Sequence, residues 1–166
     1  MANLTTNYDI LVVDDEADVR TALAGILEDD GYNVRLAESG QQALEMMSQK
    51  LPHLVLLDIW MEGMDGLEVL GRIKRRVPEL PVIMISGHGT IETAVQATQK
   101  GAYDFIEKPP SVERLLLTVS RAIREAQLRK ENYLLRAKGG EVQELLGISS
   151  EIATVRQTIK QVAAGE

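Results

Sequence analysis

Short apolar runs alternate with longer amphipathic stretches along the first 125 residues. Five runs have the length of buried strands, namely residues 10–13, 33–37, 54–57, 82–85 and 103–107. After each run, apolar residues recur at steps of three and four, as they do on one face of a helix. This alternation predicts an α/β fold with a doubly wound parallel sheet that carries helices on both faces.

Polar residues and glycines mark the predicted ends of several helices. Ser39, Thr90 and Ser111 each precede a helical stretch, and their hydroxyl groups are predicted N-caps. Gly101 is predicted to end the fourth helix, because glycine readily adopts the left-handed conformation found at helix C-termini.

The last helix does not stop where the α/β domain should end. Apolar and related positions continue at heptad spacing through Leu116, Val119, Ile123, Ala126, Lys130, Tyr133 and Ala137. This seam predicts a long C-terminal helix that pairs with a second copy; the alternative is a single amphipathic helix with its first half on the sheet and its second half frayed. Gly139-Gly140 is predicted to end it. The predicted domains are residues 1–125, a linker helix over 126–140 and the start of another domain over 141–166.

Composition narrows the function further. The chain has 166 residues and a net charge of -7, and this negative charge argues against a nucleic-acid binder. It has no cysteine and therefore no disulfides. No leader or membrane span is recognisable, so we expect a cytoplasmic protein. Residues 1–31 hold eight acids and one arginine, which indicates a cation site. The basic run over residues 121–138 is interpreted as a solvated helix face.

Two predicted strands end in carboxylates. Asp14 and Asp15 follow the first strand and Asp58 follows the third, and strand carboxyl ends in parallel sheets are where ligands bind. Clustered acids need a cation, and oxygen ligands without His or Cys suit Mg2+. We expect Asp15 and Asp58 to bind Mg2+ directly, Asp14 to bind it largely through water, and the backbone carbonyl of Trp60 to be a further ligand.

Ser86 and Lys108 follow the fourth and fifth predicted strands and complete this set. Taken singly, each would be an ordinary turn or surface residue. Together with the acids they supply what phosphoryl transfer requires, which is a nucleophile, a metal site, an ammonium and a hydroxyl donor. Asp58 is the predicted nucleophile and would become an aspartyl phosphate.

These positions carry a family resemblance. The motifs Val12-Val13-Asp14-Asp15, Leu57-Asp58, Met64-Asp65-Gly66, Ser86-Gly87 and Lys108-Pro109 closely resemble the receiver domain of bacterial two-component response regulators, over roughly residues 9–125. The resemblance implies a flavodoxin-like (βα)5 fold with strand order 2-1-3-4-5 and transfer of phosphate to Asp58 from a sensor histidine kinase. It also implies a cis Lys108-Pro109 peptide and a Phe105 ring that changes rotamer as Ser86 moves toward the phosphate.

The surroundings of Ser86 and Lys108 resemble receivers of sigma-54-dependent transcriptional activators of the NtrC and NtrX type. Residues 146–163 resemble the start of the AAA+ ATPase domain of these proteins, but no G-x-x-x-x-G-K-[ST] loop occurs, so ATP hydrolysis is not expected. Sigma-54 RNA polymerase and DNA would be contacted only through domains absent here. Homodimerisation is expected through the long helix, or through the face of the fourth helix, fifth strand and fifth helix, or both.

Three alternative classes of protein fit the sequence less well. A haloacid-dehalogenase-type phosphatase needs a second acid two residues after its nucleophile, where Trp60 stands. A dinucleotide-binding fold is weaker, because Gly87-His88-Gly89 lacks the third glycine and follows the wrong strand. The third reading is a receiver that dimerises and binds partners without phosphorylation, against which the complete set of site residues argues.

Overall fold

The computed structural model describes residues 8–147, in which five strands alternate with five helices. The strands are β1 (Asp9–Val13), β2 (Asn33–Ala37), β3 (Leu54–Asp58), β4 (Val82–Ser86) and β5 (Asp104–Glu107). The helices are α1 (Ala17–Asp29), α2 (Gly40–Gln49), α3 (Gly66–Arg76), α4 (Ile91–Gln99) and α5 (Val112–Gly147). Every predicted strand boundary lies within one residue of the observed one.

The five strands form one parallel sheet in the order β2-β1-β3-β4-β5. The predicted fold class, a flavodoxin-like doubly wound sheet with strand order 2-1-3-4-5, is therefore confirmed. The chain passes from β1 to β2 on one side and then returns to β3 on the other side of β1. This reversal opens a crevice at the carboxyl ends of β1 and β3, which is where such sheets bind ligands.

Two apolar clusters cover the two faces of the sheet. Alternate strand residues point to opposite faces, so that Leu11 and Val13 face α2, α3 and α4, whereas Ile10 and Val12 face α1 and α5. All residues of β1, β3 and β4 are buried. Burial on both faces explains why these strands are continuous apolar runs without polar alternation.

The predicted helix caps are confirmed. The hydroxyl oxygens of Ser39, Thr90 and Ser111 each accept a hydrogen bond, 3.1 Å long, from the backbone N–H three residues further on. Gly101 follows α4 with a φ of 103°, in the left-handed region that glycine favours. Asp65 is a further cap that the sequence reading did not predict, and its carboxylate accepts the Glu68 N–H at 2.9 Å.

Helix α5 is longer than predicted. It continues through Gly139 and Gly140 to Gly147, so the predicted helix end at these glycines is wrong. A glycine inside a helix costs roughly 1 kcal/mol relative to alanine, and the surrounding residues are mostly strong helix formers that offset this cost. Residues 148–166, which make up most of the predicted start of a further domain, lie outside the described residues.

The two halves of the heptad seam differ in burial. Val119 and Ile123 are buried in the cluster that α5 shares with the sheet, and Leu116 packs against that cluster. The first half of the seam is therefore unavailable for pairing, which is what the alternative interpretation of α5 predicted. Further along, Lys130 is exposed and Tyr133 is 73% exposed.

The chain comprises two compact units, Met1–Ala126 and Gln127–Glu166. The first contains the whole sheet, and the described part of the second is the C-terminal part of α5. Within the described residues, no helix combines the length and apolar character needed to cross a membrane.

Two glycines provide a test of how closely α3 approaches β3. A Cβ at Gly66 would lie 2.1 Å from the Asp58 carbonyl oxygen, whereas a Cβ at Gly25 would meet nothing within 4 Å. We expect Gly25→Ala to raise the free energy of unfolding by about 0.5–1 kcal/mol, because alanine favours helix. We expect Gly66→Ala to lower it by about 1–3 kcal/mol. Urea denaturation measures both, and equal effects would contradict the close approach.

Candidate functional site

Three carboxylates meet at the carboxyl edge of the sheet. Asp14 and Asp15 follow β1, and Asp58 is the last residue of the neighbouring strand β3. One carboxylate oxygen of each lies within 4.8 Å of the other two. Asp14 is 1% and Asp58 is 4% exposed, whereas Asp15 is exposed. The site therefore has two buried acids and one that faces solvent.

Lys108 lies among these carboxylates. Its Nζ donates a hydrogen bond of 2.6 Å to Asp14 Oδ2 and lies 3.4 Å from Asp58 Oδ1 and 3.8 Å from Glu16 Oε1. Its backbone N–H donates to the Ser86 carbonyl oxygen at 2.9 Å, which fixes the chain after β5 to the end of β4. One ammonium thus contacts an acid that follows β1 and the acid that ends β3.

Burial and neighbouring charges set the ionisation of Asp58 and Lys108. Burial, followed by the negative charge of Asp14, raises the pKa of Asp58 to about 6, against the attraction of Lys108. Burial alone would lower the pKa of Lys108, but its hydrogen bond to Asp14 and the charges of Asp58 and Asp14 raise it above its usual value. Near neutral pH, Lys108 is therefore an ammonium and Asp58 is mostly ionised, which leaves the site with an excess of negative charge.

The remaining predicted site residues lie at neighbouring positions. Ser86 is buried at the end of β4, and its hydroxyl oxygen accepts a hydrogen bond of 3.2 Å from the His88 N–H. Phe105 is half-buried in β5, and the Lys108-Pro109 peptide is cis, as the resemblance implies. The Trp60 side chain is 53% exposed. The metal-binding role of its carbonyl oxygen stays a prediction.

Two residues that border the site were missed by sequence reasoning. Arg20 of α1 donates from Nη1 to the Asp14 carbonyl oxygen at 2.6 Å and ties the end of β1 to α1. Glu16 donates its backbone N–H to Asp14 Oδ1 at 2.9 Å, and its own carboxylate approaches Lys108. The available signal was the isolation of Arg20, the only basic residue among eight acids in residues 1–31.

The chemistry of the donor set fits a hard divalent cation. Asp14, Asp15 and Asp58 form the one group of acids within the described residues whose oxygens are close enough to share a metal ion. All its ligand atoms are carboxylate oxygens, which Mg2+ and similar cations prefer. The exposure of Asp15 gives a cation access from solvent.

The reversed strand order and the charged cluster at the sheet's carboxyl edge define the class of this protein. The sequence profile of the response regulator receiver domain matches residues 10–120, which is more than half of the chain. The chain therefore belongs to the response regulator receiver family.

Among individual proteins, the chain is similar to regulators of the NtrX and NtrC type. The chain is 48% identical over 157 residues to the nitrogen assimilation regulatory protein NtrX of Azorhizobium caulinodans, covering 93% of this chain and 34% of that protein. The crystal structure of the NtrX receiver domain from Brucella abortus is 55% identical, with a TM-score of 0.68, over 70% of this chain and 98% of that chain. The beryllofluoride-activated NtrC4 receiver domain dimer is 42% identical, with a TM-score of 0.69, over 71% and 98%. The chain spans about a third of the length of the curated relatives it matches.

Asp58→Asn tests the electrostatic cost of the site. In the folded protein Asp58 holds its proton up to about pH 6, while the reference value is 3.8, so stability falls as pH rises through this window. We expect Asp58→Asn to be more stable than wild type by about 1–3 kcal/mol near pH 8 in EDTA, and the difference to vanish near pH 4. Chemical denaturation at both pH values measures this. Equal stabilities near pH 8 would contradict it, and the exposed Glu79→Gln serves as a control without such a gain.

Proposed function

We propose that this chain is the phosphorylation-operated switch of a two-component response regulator, in which Asp58 accepts a phosphoryl group from a phosphohistidine of a sensor histidine kinase. The observation that carries the proposal is the contact of Lys108 Nζ with both Asp14 and Asp58. Phosphoryl transfer needs little covalent help from a protein, but it does need positioning and neutralisation of oxygen charge. This cluster supplies both requirements.

In the proposed reaction a carboxylate oxygen of Asp58 attacks phosphorus. The bond between phosphorus and the donor imidazole nitrogen breaks, the nitrogen leaves with the electron pair, and an aspartyl phosphate forms. Lys108 pairs with one phosphoryl oxygen, and the Ser86 hydroxyl donates to another. Because the pKa of Asp58 is about 6, its nucleophilic carboxylate form predominates at neutral pH.

Asp15 and Asp58 are the proposed direct ligands of Mg2+, with the Trp60 carbonyl as a further ligand and Asp14 binding through water. Both carboxylate oxygens of Asp14 already accept hydrogen bonds, from the Glu16 N–H and from Lys108 Nζ, which supports its indirect role. Asp15 accepts only a long bond of 3.4 Å from the Glu62 N–H among the bonds described. Bound Mg2+ would neutralise charge on the carboxylates and on the phosphoryl oxygens.

The proposed output surface is the face formed by α4, β5 and the first part of α5. As Ser86 moves toward the phosphoryl group, Phe105 changes rotamer and alters this face. Three apolar side chains support an interaction role, since Ile91, Val95 and Leu117 are 87%, 48% and 52% exposed. Exposed apolar surface of this kind is typical of protein contacts.

The proposed partners are the kinase and a second copy of the chain. Dimerisation would use the output surface, the C-terminal part of α5, or both; in the latter segment Leu128, Tyr133, Leu134 and Leu135 are exposed. The NtrC4 receiver, described as a beryllofluoride-activated dimer, supports this assignment. The similarity to NtrX-type regulators supports a cytoplasmic role in controlling a sigma-54-dependent activator. ATP hydrolysis is not proposed for residues 1–166, since they contain no phosphate-binding loop.

The only tryptophan, Trp60, lies two residues from Asp58 and provides the direct test. We expect its fluorescence to change on addition of Mg2+ and again on addition of beryllofluoride, which mimics the phosphoryl group on an aspartate. Asp58→Asn should abolish the second change, and Asp29→Asn, an exposed acid at the end of α1, should preserve both. A beryllofluoride response that persists in Asp58→Asn would show that Asp58 is not the phosphoryl acceptor. No response in wild type would favour a receiver that dimerises and binds partners without phosphorylation.

Lys108→Met should change metal and phosphoryl binding in opposite directions. The substitution removes a cation that contacts Asp14 and Asp58, so affinity for Mg2+ should rise by about threefold to tenfold. The response to beryllofluoride should weaken by at least a similar factor, because the partner of a phosphoryl oxygen is lost. Fluorescence titrations measure both. Lys100→Met, at the exposed end of α4, is the control, and a parallel loss of both affinities would contradict the assigned role.

A further inference from the structure

Phe105 and Gly89 approach each other more closely than any side chain at position 89 would allow. A Cβ atom at Gly89 would lie 2.2 Å from Cζ and 2.8 Å from Cε1 of the Phe105 ring, well inside the 3.0 Å that real Cβ contacts respect. The ring therefore occupies the space that any other amino acid at this position would need.

Gly89 lies in the segment that joins β4 to α4, and both ends of this segment are anchored. On one side, the His88 N–H donates to the Ser86 hydroxyl oxygen at 3.2 Å. On the other, Thr90 caps α4 through the Thr93 N–H at 3.1 Å. A movement of the Ser86 hydroxyl toward a phosphoryl group breaks the bond to His88, the residue that precedes Gly89. Gly89 is thus placed between the two moving groups of the proposed switch.

We propose that Gly89 is a positioning residue of this switch. Because Gly89 has no side chain, the Phe105 ring packs against its backbone in the unphosphorylated state. The ring leaves this position when the Ser86 hydroxyl forms a hydrogen bond with the phosphoryl group. The inference rests on the proposed phosphorylation of Asp58 and adds the residue that couples the hydroxyl to the ring. Phe105 is half-buried and only borders the core cluster, so the ring can leave without unpacking the core.

A side chain at position 89 therefore destabilises the resting state selectively. Alanine at position 89 fills the space that the Phe105 ring occupies, but it leaves Asp58, Lys108 and the acids of the metal site in place. The equilibrium between the resting and the switched state then already favours the switched state more than in wild type. A ligand that binds the switched state therefore binds more tightly. A gain of affinity is a result that general structural damage would not produce.

The test compares Gly89→Ala with Gly87→Ala in the whole chain, using beryllofluoride with Mg2+ as the probe and Trp60 fluorescence as the readout. A Cβ at Gly87 would lie 3.8 Å from Lys108 Cβ, an ordinary contact in the same segment. We expect Gly89→Ala to lower the half-saturating beryllofluoride concentration by about fivefold or more, and Gly87→Ala to stay within about twofold of wild type.

The only phenylalanine offers a second readout. In protein with 13C-labelled phenylalanine, the ring signals of Gly89→Ala without beryllofluoride should shift toward those of beryllofluoride-bound wild type. In a Phe105→Ala background the effect of Gly89→Ala should disappear, since the obstructing ring is gone. If Gly89→Ala does not fold, the double variant should recover a cooperative thermal transition.

Equal behaviour of Gly89→Ala and Gly87→Ala, or an effect of Gly89→Ala that persists without the Phe105 ring, would overturn the inference. These outcomes differ from failure of the proposed function. That failure would show as a wild-type beryllofluoride response that is absent or independent of Asp58.

Discussion

The close approach of the Asp14, Asp15 and Asp58 carboxylates sets the electrostatics of the site. Unit charges about 4 Å apart repel by about 4 kcal/mol at an effective dielectric near 20, and oxygens of all three lie within 4.8 Å of one another. Lys108 contacts two of them, at 2.6 and 3.4 Å. Burial, followed by the charge of Asp14, raises the pKa of Asp58 although Lys108 opposes both effects. The folded protein therefore holds an acidic cluster whose repulsion a bound cation would reduce.

Several contacts with the rest of the structure hold these acids in place. The acids end strands buried on both faces, Arg20 ties the Asp14 backbone to α1, and Gly66 lets α3 approach Asp58 closely. Among the contacts described, the Ser86 hydroxyl oxygen accepts a hydrogen bond from the His88 N–H, and the Phe105 ring lies against Gly89. In the proposed switch, the acids would serve metal binding and the attack on phosphorus, and the Ser86 hydroxyl and the Phe105 ring would respond to the product.

The match to the receiver profile and the alignments with individual relatives cover different lengths of the chain. The receiver profile ends at residue 120, yet the alignment with NtrX of Azorhizobium caulinodans covers 93% of the chain. The likeness to this relative therefore extends beyond the residues that the receiver profile matches. Helix α5, which contributes Val119 and Ile123 to the core, begins within the matched residues and ends at Gly147, beyond them.

The sequence by itself determined the strand positions, the helix caps Ser39, Thr90 and Ser111, and the acids and lysine at the strand ends, and its family resemblance implied the strand order. Burial on both faces demands continuous apolar runs in β1, β3 and β4, so the polar residues that follow mark the strand ends. It did not determine the path of α5 through Gly139 and Gly140, where local propensity gave the wrong end. Arg20 against Asp14 and Gly89 beneath Phe105 were likewise decided only by the tertiary structure. These contacts depend on distances between elements, and those distances are set by packing of the whole sheet and are encoded in no single stretch of chain.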